Sequence, residues 1–291
     1  MKWAIPAKTF LLGEYAAVAE GSAILLTTTP YFELSLNSSA NLTNIHPQSP
    51  AGLWWLKQQI SQGLSWYDPY KTCGGLGASS GQFLAVYLAS CTIKQVSPSF
   101  KHLLTAYYHC AWNGQGLRPS GYDVIAQSQV GCVYINKQEK ALHSFAWPFQ
   151  DLSFLLIHTG NKLATHHHLQ QATLPAQISH LSALVEKAKH AFATGDSNDL
   201  VSSINQYHEK LTELNLVTDH SLKLIKQFKT SAGVLAVKGC GALGADVILI
   251  ITAKSAKLDL KKKLLASQHP VIATEENLTN NKNFPLITDS L

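Results

Sequence analysis

The stretch Thr72-Cys-Gly-Gly-Leu-Gly-Ala-Ser-Ser-Gly81 runs directly into the apolar segment Gln82-Phe-Leu-Ala-Val-Tyr-Leu-Ala-Ser90. Glycine permits positive φ angles and lets the backbone approach a ligand closely. A helix that begins after such a loop presents unpaired N–H groups and the positive end of its dipole. The stretch is therefore either a phosphate site at a helix N-terminus or an ordinary glycine-rich turn capped by Ser79 or Ser80.

This loop differs from two familiar nucleotide-binding loops. No G-K-[ST] ends it, as a Walker loop requires, and its glycines lack the G-x-G-x-x-G spacing of a dinucleotide site. Its interpretation therefore depends on the other motifs of the chain.

Three more motifs accompany the loop. They are Ile5-Pro-Ala-Lys-Thr-Phe-Leu-Leu-Gly-Glu-Tyr-Ala-Ala-Val18, Pro119-Ser-Gly-Tyr-Asp-Val-Ile-Ala-Gln127 and Val237-Lys-Gly-Cys-Gly-Ala-Leu-Gly-Ala-Asp-Val247. In this order and spacing, from about residue 3 to about residue 250, the chain resembles the GHMP kinases, a family of small-molecule kinases. The resemblance implies an α+β fold of two lobes, a β-α lobe over residues 1–149 and a ferredoxin-like lobe over residues 150–291, with ATP bound between them.

Composition agrees with a globular enzyme. The 291 residues are 46% hydrophobic and 14% charged, and the net charge of +5 is spread along the chain as single lysines. The run Lys261-Lys-Lys263 fits a solvated helix face. A nucleic-acid-binding protein would need a basic stripe with aromatic residues, which the sequence lacks. We expect small-molecule partners, no nucleic acid, and a monomer or homodimer.

The cysteines and the N-terminus bear on the compartment. Five widely spaced cysteines with no C-x-x-C pair suggest neither a disulfide framework nor a zinc site. The segment Met1-Lys-Trp-Ala-Ile-Pro lacks the apolar core of a signal peptide, and no run of 18 apolar residues is present to span a membrane. We expect a cytoplasmic protein with no membrane segment.

Hydrophobic periodicity predicts the order of elements. Trp3 to Tyr15 is interpreted as a strand pair with a turn at Pro6-Ala-Lys. Other strands are expected at 23–26, 31–36, 131–135, 152–157, 233–237 and 247–251. Helices are expected at 52–62, after the glycine loop, and at 100–112, 175–193, 196–213, 219–229 and 256–266. The last 20 or so residues have no clear pattern.

Two residues are expected to be catalytic. Lys8 in a strand turn is by itself an ordinary exposed lysine, but it matches the family's P-x-K-x-x-L-x-G-E pattern, with Ala7 where many members have glycine. The resemblance implies that Lys8 lies beside the acceptor hydroxyl. Asp123 after a glycine turn is by itself a common helix cap. It matches the S-G-x-D aspartate, whose implied role is the catalytic base.

The glycine loop is expected to bind ATP with Mg²⁺. Ser79 matches the second serine of the family's G-L-G-S-S, whose hydroxyl reaches magnesium, and Ala78 replaces the first. The nucleotide-binding residues expected are Gly74, Gly75, Leu76, Gly77, Ala78, Ser79 and Ser80. The glutamate that mevalonate kinases carry about ten residues before the aspartate is absent. Magnesium is therefore held mainly by phosphates, Ser79 and water, or Glu14 contributes.

The acceptor site is expected from the same resemblance. Its residues are Glu14, Tyr15, Arg118, Ser120, Gly121, Lys162, Thr165 and Gly241. The lone Arg118 suits bidentate binding of a carboxylate or phosphate and equally suits a surface position. Three adjacent histidines, 166–168, cannot share one metal ion from one helix, because they point in different directions; one or two are expected to face the cleft.

The family resemblance leaves the acceptor open. The G-E-Y at Glu14-Tyr15, the aspartate Asp246 and the segment Thr159-Gly-Asn-Lys-Leu-Ala-Thr165 resemble phosphomevalonate kinases. The chain length is nearer to that of a bacterial mevalonate kinase. We predict phosphomevalonate, with mevalonate as the alternative. A homoserine or sugar kinase, or a relative that only binds ligand, are further alternatives, and the retained Lys8, Ser79 and Asp123 argue against the last.

Overall fold

The computed structural model describes residues 1–71, 73–160, 178–281 and 284–291. The strands are β1 (Lys2–Leu12), β2 (Ala23–Asn37), β3 (Leu42–Thr43), β4 (Gly63–Tyr67), β5 (Cys132–Asn136), β6 (Ala141–Phe145), β7 (Leu152–His158), β8 (Val234–Cys240), β9 (Val247–Ala253) and β10 (Val271–Thr274). The helices are α1 (Pro50–Lys57), α2 (Ala78–Lys94), α3 (Phe100–Ala111), α4 (Tyr122–Gln127), α5 (Ile178–Thr194), α6 (Ser197–Glu213), α7 (Asp219–Lys229) and α8 (Lys257–Ala266).

The first sheet is built around the long strand β2. Strand β1 pairs antiparallel along most of it, which places Lys8 opposite Thr27. Strand β5 pairs with the start of β2 and β4 with its end, while β6 and β3 extend the sheet beyond them. Helix α2 packs on this sheet and against α1 and α4. Its residues from Phe83 to Cys91 are all buried, which explains why its sequence is apolar on every face.

The second sheet is antiparallel, in the order β10-β7-β9-β8. Helices α6 and α7 pack on β8, and α5 packs on α6. Strands β7 and β9 are almost entirely buried, so they appear in the sequence as continuous apolar runs rather than alternating patterns.

The expected strand pair between Trp3 and Tyr15 is wrong. Residues Lys2–Leu12 form one strand, and its register against β2 shifts between Ile5 and Ala7. Pro6 therefore lies in a bulge, where the missing N–H of proline is tolerated. A proline that marks a turn in the sequence here marks an irregularity within a strand.

Other boundaries also differ from the sequence pattern. The expected helix at 52–62 ends at Lys57, and the unpredicted strand β4 follows it. Strands β3, β6 and β10 were likewise not predicted. Helix α7 spans residues 219–229 as expected. Among the described helices, none is long and apolar enough to cross a membrane.

The C-terminal residues return from the second sheet to the first. After β10, the Thr279 N–H donates to the Thr27 carbonyl over 3.0 Å, and the Leu286 N–H donates to the Ser128 carbonyl over 2.8 Å. The Asp289 carboxylate accepts from the Phe100 N–H at the start of α3. The division of the chain at residues 149 and 150 stays a prediction.

Candidate active site

The glycine loop leads into the N-terminus of α2. Gly77 is the N-cap, with φ of +79°, and the helix begins at Ala78. The Gly81 N–H makes the first helical bond, to the Gly77 carbonyl. Glycine has no side chain to cap the amides of residues 78–80. Three N–H groups therefore point outward at the positive end of a 17-residue helix, an arrangement that binds phosphate.

The glycines of this loop are required by close packing. A Cβ at Gly77 would lie 2.7 Å from Cγ of Lys8, and one at Gly74 would lie 2.8 Å from Oδ1 of Asp246. Gly75 and Gly77 both have φ of +79°, which L-residues rarely adopt. The loop thus fits between β1 and the glycine-rich turn before β9 only because it lacks side chains.

Lys8 and Asp123 meet beside this loop. Nζ of Lys8 lies 3.0 Å from Oδ1 of Asp123, and their side chains are 9% and 32% exposed. The Lys8 N–H also donates to the Leu76 carbonyl over 2.9 Å, which ties the strand to the loop. The structure therefore brings the two expected catalytic side chains together, with the carboxylate open to solvent.

Local sequence sets the position of Asp123. Gly121 is the N-cap of α4 with φ of +77°, and a Cβ there would lie 2.5 Å from Leu104 and 2.8 Å from the Tyr108 hydroxyl. The Ser120 hydroxyl accepts from the Tyr122 N–H. Both residues thus shape the start of α4. Asp123 lies in its first turn, where a negative charge is favourable.

The glycine-rich turn of residues 241–246, called the third glycine turn below, packs against the glycine loop at Gly74 and Gly75. Asp246 is 6% exposed and has φ of +74°. Its carbonyl accepts from the Thr159 N–H over 2.9 Å, and its carboxylate lies against Gly74. Three segments therefore meet at Asp246: residues 159–160 after β7, the third glycine turn before β9, and the glycine loop. Gly241, at the start of this turn, has φ of +87° and is half-buried.

Ser79 and Ser80 have different surroundings. Ser80 is buried, and its hydroxyl donates to Oε1 of Gln127 over 2.6 Å. Ser79 is exposed at the outward amides of α2. Within the described residues, no group of three or more His, Cys, Asp or Glu side chains is placed to hold a metal ion. Of the two serines, Ser79 therefore has the hydroxyl that is accessible at the start of α2.

Glu14 and Tyr15 do not face the cleft, contrary to the expectation for the acceptor site. The Glu14 carboxylate is 4% exposed and pairs with Nζ of Lys238, which is fully buried. The Tyr15 hydroxyl accepts from the Leu243 N–H over 2.8 Å, and burial raises the pKa of Tyr15 to about 12. Glu14 thus joins the segment after β1 to β8, and Tyr15 joins it to the turn that contains Leu243, with the Glu14 carboxylate buried.

Arg118 is engaged at the surface. It donates to Oε1 of Glu20 over 2.8 Å and lies 4.5 Å from the centre of the Tyr108 ring. Lys137 donates to the same carboxylate, and this hydrogen bond, more than Arg118, lowers the pKa of Glu20. Of the two positions expected for Arg118, the acceptor site and the surface, the structure places it at the surface. Lys162, Thr165 and the histidines 166–168 lie outside the described residues.

Two site residues were missed by sequence reasoning. Gln127 is fully buried, and its side chain bonds to Pro6 in β1 and to Gly77 in the glycine loop. Its position four residues after Asp123, on the same helix face, was the available signal. Lys238 lies in the motif of residues 237–247, but its partner Glu14 is 224 positions away. Nothing in the sequence around either residue indicates that the two form a pair.

No family model and no curated protein matches the sequence of this chain, whereas solved structures match its fold. Phosphomevalonate kinase of Streptococcus pneumoniae, in complex with phosphomevalonate and AMPPNP, superposes with a TM-score of 0.76 at 14% identity, covering 94% of this chain and 99% of that one.

Two further structures share the architecture. The mevalonate kinase of Methanococcus jannaschii has a TM-score of 0.72 at 14% identity, with coverage of 96% and 98%. The galactokinase of Lactococcus lactis, complexed with galactose, has a TM-score of 0.74 at 12% identity, with coverage of 94% and 92%. These scores are too similar to select an acceptor. The expected α+β fold class is confirmed, and the chain has the two-lobe fold of the GHMP kinases.

Proposed function

We propose that this protein is an ATP-dependent kinase of the mevalonate pathway that transfers the γ-phosphoryl group to phosphomevalonate. The observation that carries the proposal is the contact between Lys8 on β1 and Asp123 on α4, 3.0 Å apart, with the Lys8 N–H bonded to the glycine loop. This contact supports the interpretation of the loop as a phosphate site beside an acid–base pair. Phosphoryl transfer needs this combination of positioning and charge stabilisation.

The nucleotide end of the site is the N-terminus of α2. The outward amides of residues 78–80 would hold the β- and γ-phosphates, with the helix dipole adding to the attraction. Gly74, Gly75 and Gly77 let the loop backbone approach those phosphates closely. Bound Mg²⁺, held by the phosphates and Ser79, would neutralise part of their charge.

The acceptor end of the site is the Lys8–Asp123 pair. Asp123 would orient the attacking oxygen of the acceptor, which is a phosphate oxygen in phosphomevalonate and a hydroxyl oxygen in mevalonate, and take the proton of that group where it carries one. The Lys8 ammonium would hold the attacking oxygen and offset negative charge on the transferred group. The two side chains are in contact, and the one-third exposure of Asp123 leaves room for the acceptor to approach the carboxylate.

The choice of phosphomevalonate rests on the motifs. Glu14-Tyr15 and Asp246 match the phosphomevalonate kinase pattern, and the bonds of Glu14 to β8 and of Tyr15 to the third glycine turn give that pattern a structural role. The streptococcal enzyme that superposes over nearly the whole chain is a phosphomevalonate kinase. Mevalonate is the second candidate, supported by the superposition on a mevalonate kinase of matching extent.

A coupled ADP-release assay tests the proposal. Purified protein with Mg-ATP is given mevalonate, phosphomevalonate or homoserine in separate reactions. We expect ADP release that depends on phosphomevalonate. ADP release with mevalonate alone would show that the acceptor is mevalonate and that the protein is still a kinase. No release with any of the three acceptors would reject the proposed function.

A substitution separates the two favoured acceptors. Phosphomevalonate carries a phosphate as well as a carboxylate, and the family resemblance makes Lys162 a candidate, with Lys8, Arg118 and one of the histidines 166–168, for binding these groups. Loss of a charge-assisted hydrogen bond costs about 1.5–3 kcal/mol, or roughly 10–150-fold in affinity. Lys162→Ala should weaken phosphomevalonate by that factor and leave the ATP constant nearly unchanged. Unaltered phosphomevalonate affinity would remove Lys162 from the acceptor site.

A further inference from the structure

The amide of Gln127 joins the three parts of the candidate site. It is fully buried. Its Nε2 donates to the Pro6 carbonyl over 2.8 Å and to the Gly77 carbonyl over 3.0 Å, and its Oε1 accepts from the Ser80 hydroxyl over 2.6 Å. Three of the four hydrogen bonds available to a glutamine side chain are therefore made, each to a different part of the site.

Gln127 and Asp123 dock α4 onto β1 at two points. They lie four residues apart, on one face of the helix. Asp123 meets Lys8, while Gln127 bonds to the carbonyl of Pro6, two residues earlier in the strand. Pro6 lies in the bulge, outside the paired register with β2, so its carbonyl is available to α4. The bulge and the glutamine fit each other.

Helix α2 is shaped to admit this amide. A Cβ at Gly77 would lie 3.1 Å from Nε2 of Gln127, and a Cβ at Gly81 would lie 2.8 Å from it. These glycines are four residues apart, so they leave a recess on one face of the helix start. Gly81 lies within α2, where alanine is preferred to glycine by about 1 kcal/mol. Its presence is therefore explained by the packing against Gln127.

We propose that Gln127 is a positioning residue that sets the Asp123 carboxylate and the Lys8 ammonium against the phosphates held by α2. The inference rests on the proposed kinase function and adds a residue to its machinery. Gln127 has no access to substrate, since it is fully buried, and acts through Asp123, Pro6 and Gly77. A misplacement of about 1 Å between reacting groups lowers turnover by about 10²-fold.

Three variants test this role. Gln127→Leu removes every bond of the amide. Gln127→Glu keeps its size but replaces the donors to the Pro6 and Gly77 carbonyls with a carboxylate. Gly81→Ala keeps the glutamine and fills its recess. Gln129→Leu is the matched control, because Gln129 is a buried amide two residues later that bonds to the Ile287 carbonyl of the C-terminal tail.

Turnover per folded molecule at saturating Mg-ATP should fall about 10²-fold in Gln127→Leu and Gln127→Glu, and at least about 10-fold in Gly81→Ala. The dissociation constant of Mg-AMPPNP should change by less than about threefold, because the amides of α2 remain. Gln129→Leu should keep turnover within about twofold of wild type. A purely structural role would lower the melting midpoint without this separation of turnover from nucleotide affinity.

Two results would overturn the inference. One is a folded Gln127→Leu or Gly81→Ala variant with wild-type turnover. The other is a loss of Mg-AMPPNP affinity equal to the loss of turnover, which would assign Gln127 to the loop alone. If wild type releases no ADP with any acceptor, the proposed function fails. Crystal structures then decide the inference: the Asp123 carboxylate should move by about 1 Å or more relative to Gly77 in Gly81→Ala, and an unmoved carboxylate refutes it.

Discussion

Two ion pairs connect β1 and the residues that follow it to the rest of the molecule, and they differ in access to water. Lys8 and Asp123 lie beside the glycine loop, with side chains 9% and 32% exposed. Glu14, just after β1, pairs with Lys238 on β8, and their side chains are 4% and 0% exposed. Glu14 lies six positions after Lys8. One pair keeps a solvent-facing carboxylate, whereas the other is sealed.

This difference in exposure suits the two ion pairs to different roles, catalysis for the exposed pair and structural support for the buried pair. An open carboxylate can exchange its partner for a group of the substrate, so the Lys8–Asp123 pair suits a reaction. A sealed pair cannot, because separating buried charges is strongly unfavourable. The Glu14–Lys238 pair instead fixes the third glycine turn relative to the strand that carries Lys8. Burial acts to lower the pKa of Lys238, but the neighbouring Cys240 and Glu14 side chains raise it above the ordinary lysine value, so the ammonium stays charged.

The largest effect is expected from breaking the sealed pair. Lys238→Met leaves the Glu14 carboxylate buried without its cation, which costs about 3–5 kcal/mol in the free energy of unfolding. Urea denaturation measures this loss. The double variant Glu14→Gln, Lys238→Met removes both charges and should recover much of it. Equal losses in the single and double variants would show that the pair does not act as a unit.

A pH dependence sharpens the picture of the sealed region. Burial first, and then the charges of Lys229 and Lys238, lower the pKa of His208 to about 4. The unfolded chain binds a proton near pH 6.5 that the folded chain does not bind until about pH 4. The contribution of His208 to the free energy of unfolding is therefore complete above pH 6.5. It falls by up to about 3 kcal/mol as the pH drops to 4.

Urea denaturation at pH 7, 5 and 4 measures this slope. His208→Gln should remove much of the loss between pH 6.5 and pH 4. The exposed His180 provides the control, since His180→Gln should keep the wild-type slope. An unchanged slope in His208→Gln would show that its buried imidazole does not resist protonation.

The open pair should respond in turnover rather than in stability. Lys8→Met keeps the apolar stem and removes the ammonium, so turnover should fall roughly 10–150-fold, as expected for a charge-assisted contact of about 1.5–3 kcal/mol. The free energy of unfolding should change by about 1 kcal/mol or less, because water can solvate the exposed Asp123. Steady-state kinetics and urea denaturation of the same preparation give both values. A large loss of stability with intact turnover would reverse the roles of the two pairs.

The sequence pattern predicted the open pair better than the sealed one. Lys8, Asp123 and the glycine loop are each marked by local motifs, because glycines and small residues at fixed positions are needed where the backbone approaches a ligand. Glu14 and Lys238 also stand in motifs, but a bond across 224 positions depends on how two sheets meet. The strands β4, β6 and β10 were missed for a similar reason: they are short and set by their partners.

Pro6 illustrates the limit of local interpretation. In the sequence it is typical of a turn, and in the structure it lies in a bulge whose carbonyl bonds to Gln127. The sequence context alone does not distinguish these outcomes, since proline is tolerated in both a turn and a bulge. The partner on α4, supplied by the tertiary structure, decides between them.

The smallest effect is expected at a third ion pair, on the surface. Arg118 and Glu20 are 45% and 40% exposed, and Lys137 also bonds to this carboxylate. Arg118→Gln should therefore change the free energy of unfolding by about 0–1 kcal/mol and leave turnover within about twofold of wild type. An acceptor KM raised 10-fold or more would return Arg118 to the acceptor site.

The most direct test of the division between the two pairs is the turnover of Asp123→Asn with Mg-ATP and the acceptor that wild type uses. Asparagine keeps the size of the side chain but cannot take a proton. The account predicts a fall of at least about 10²-fold in turnover, the usual contribution of a positioned base, with unchanged Mg-AMPPNP affinity and a wild-type melting midpoint. Turnover near that of wild type in the folded variant would contradict the assignment of Asp123, and with it the view that the open pair carries the chemistry.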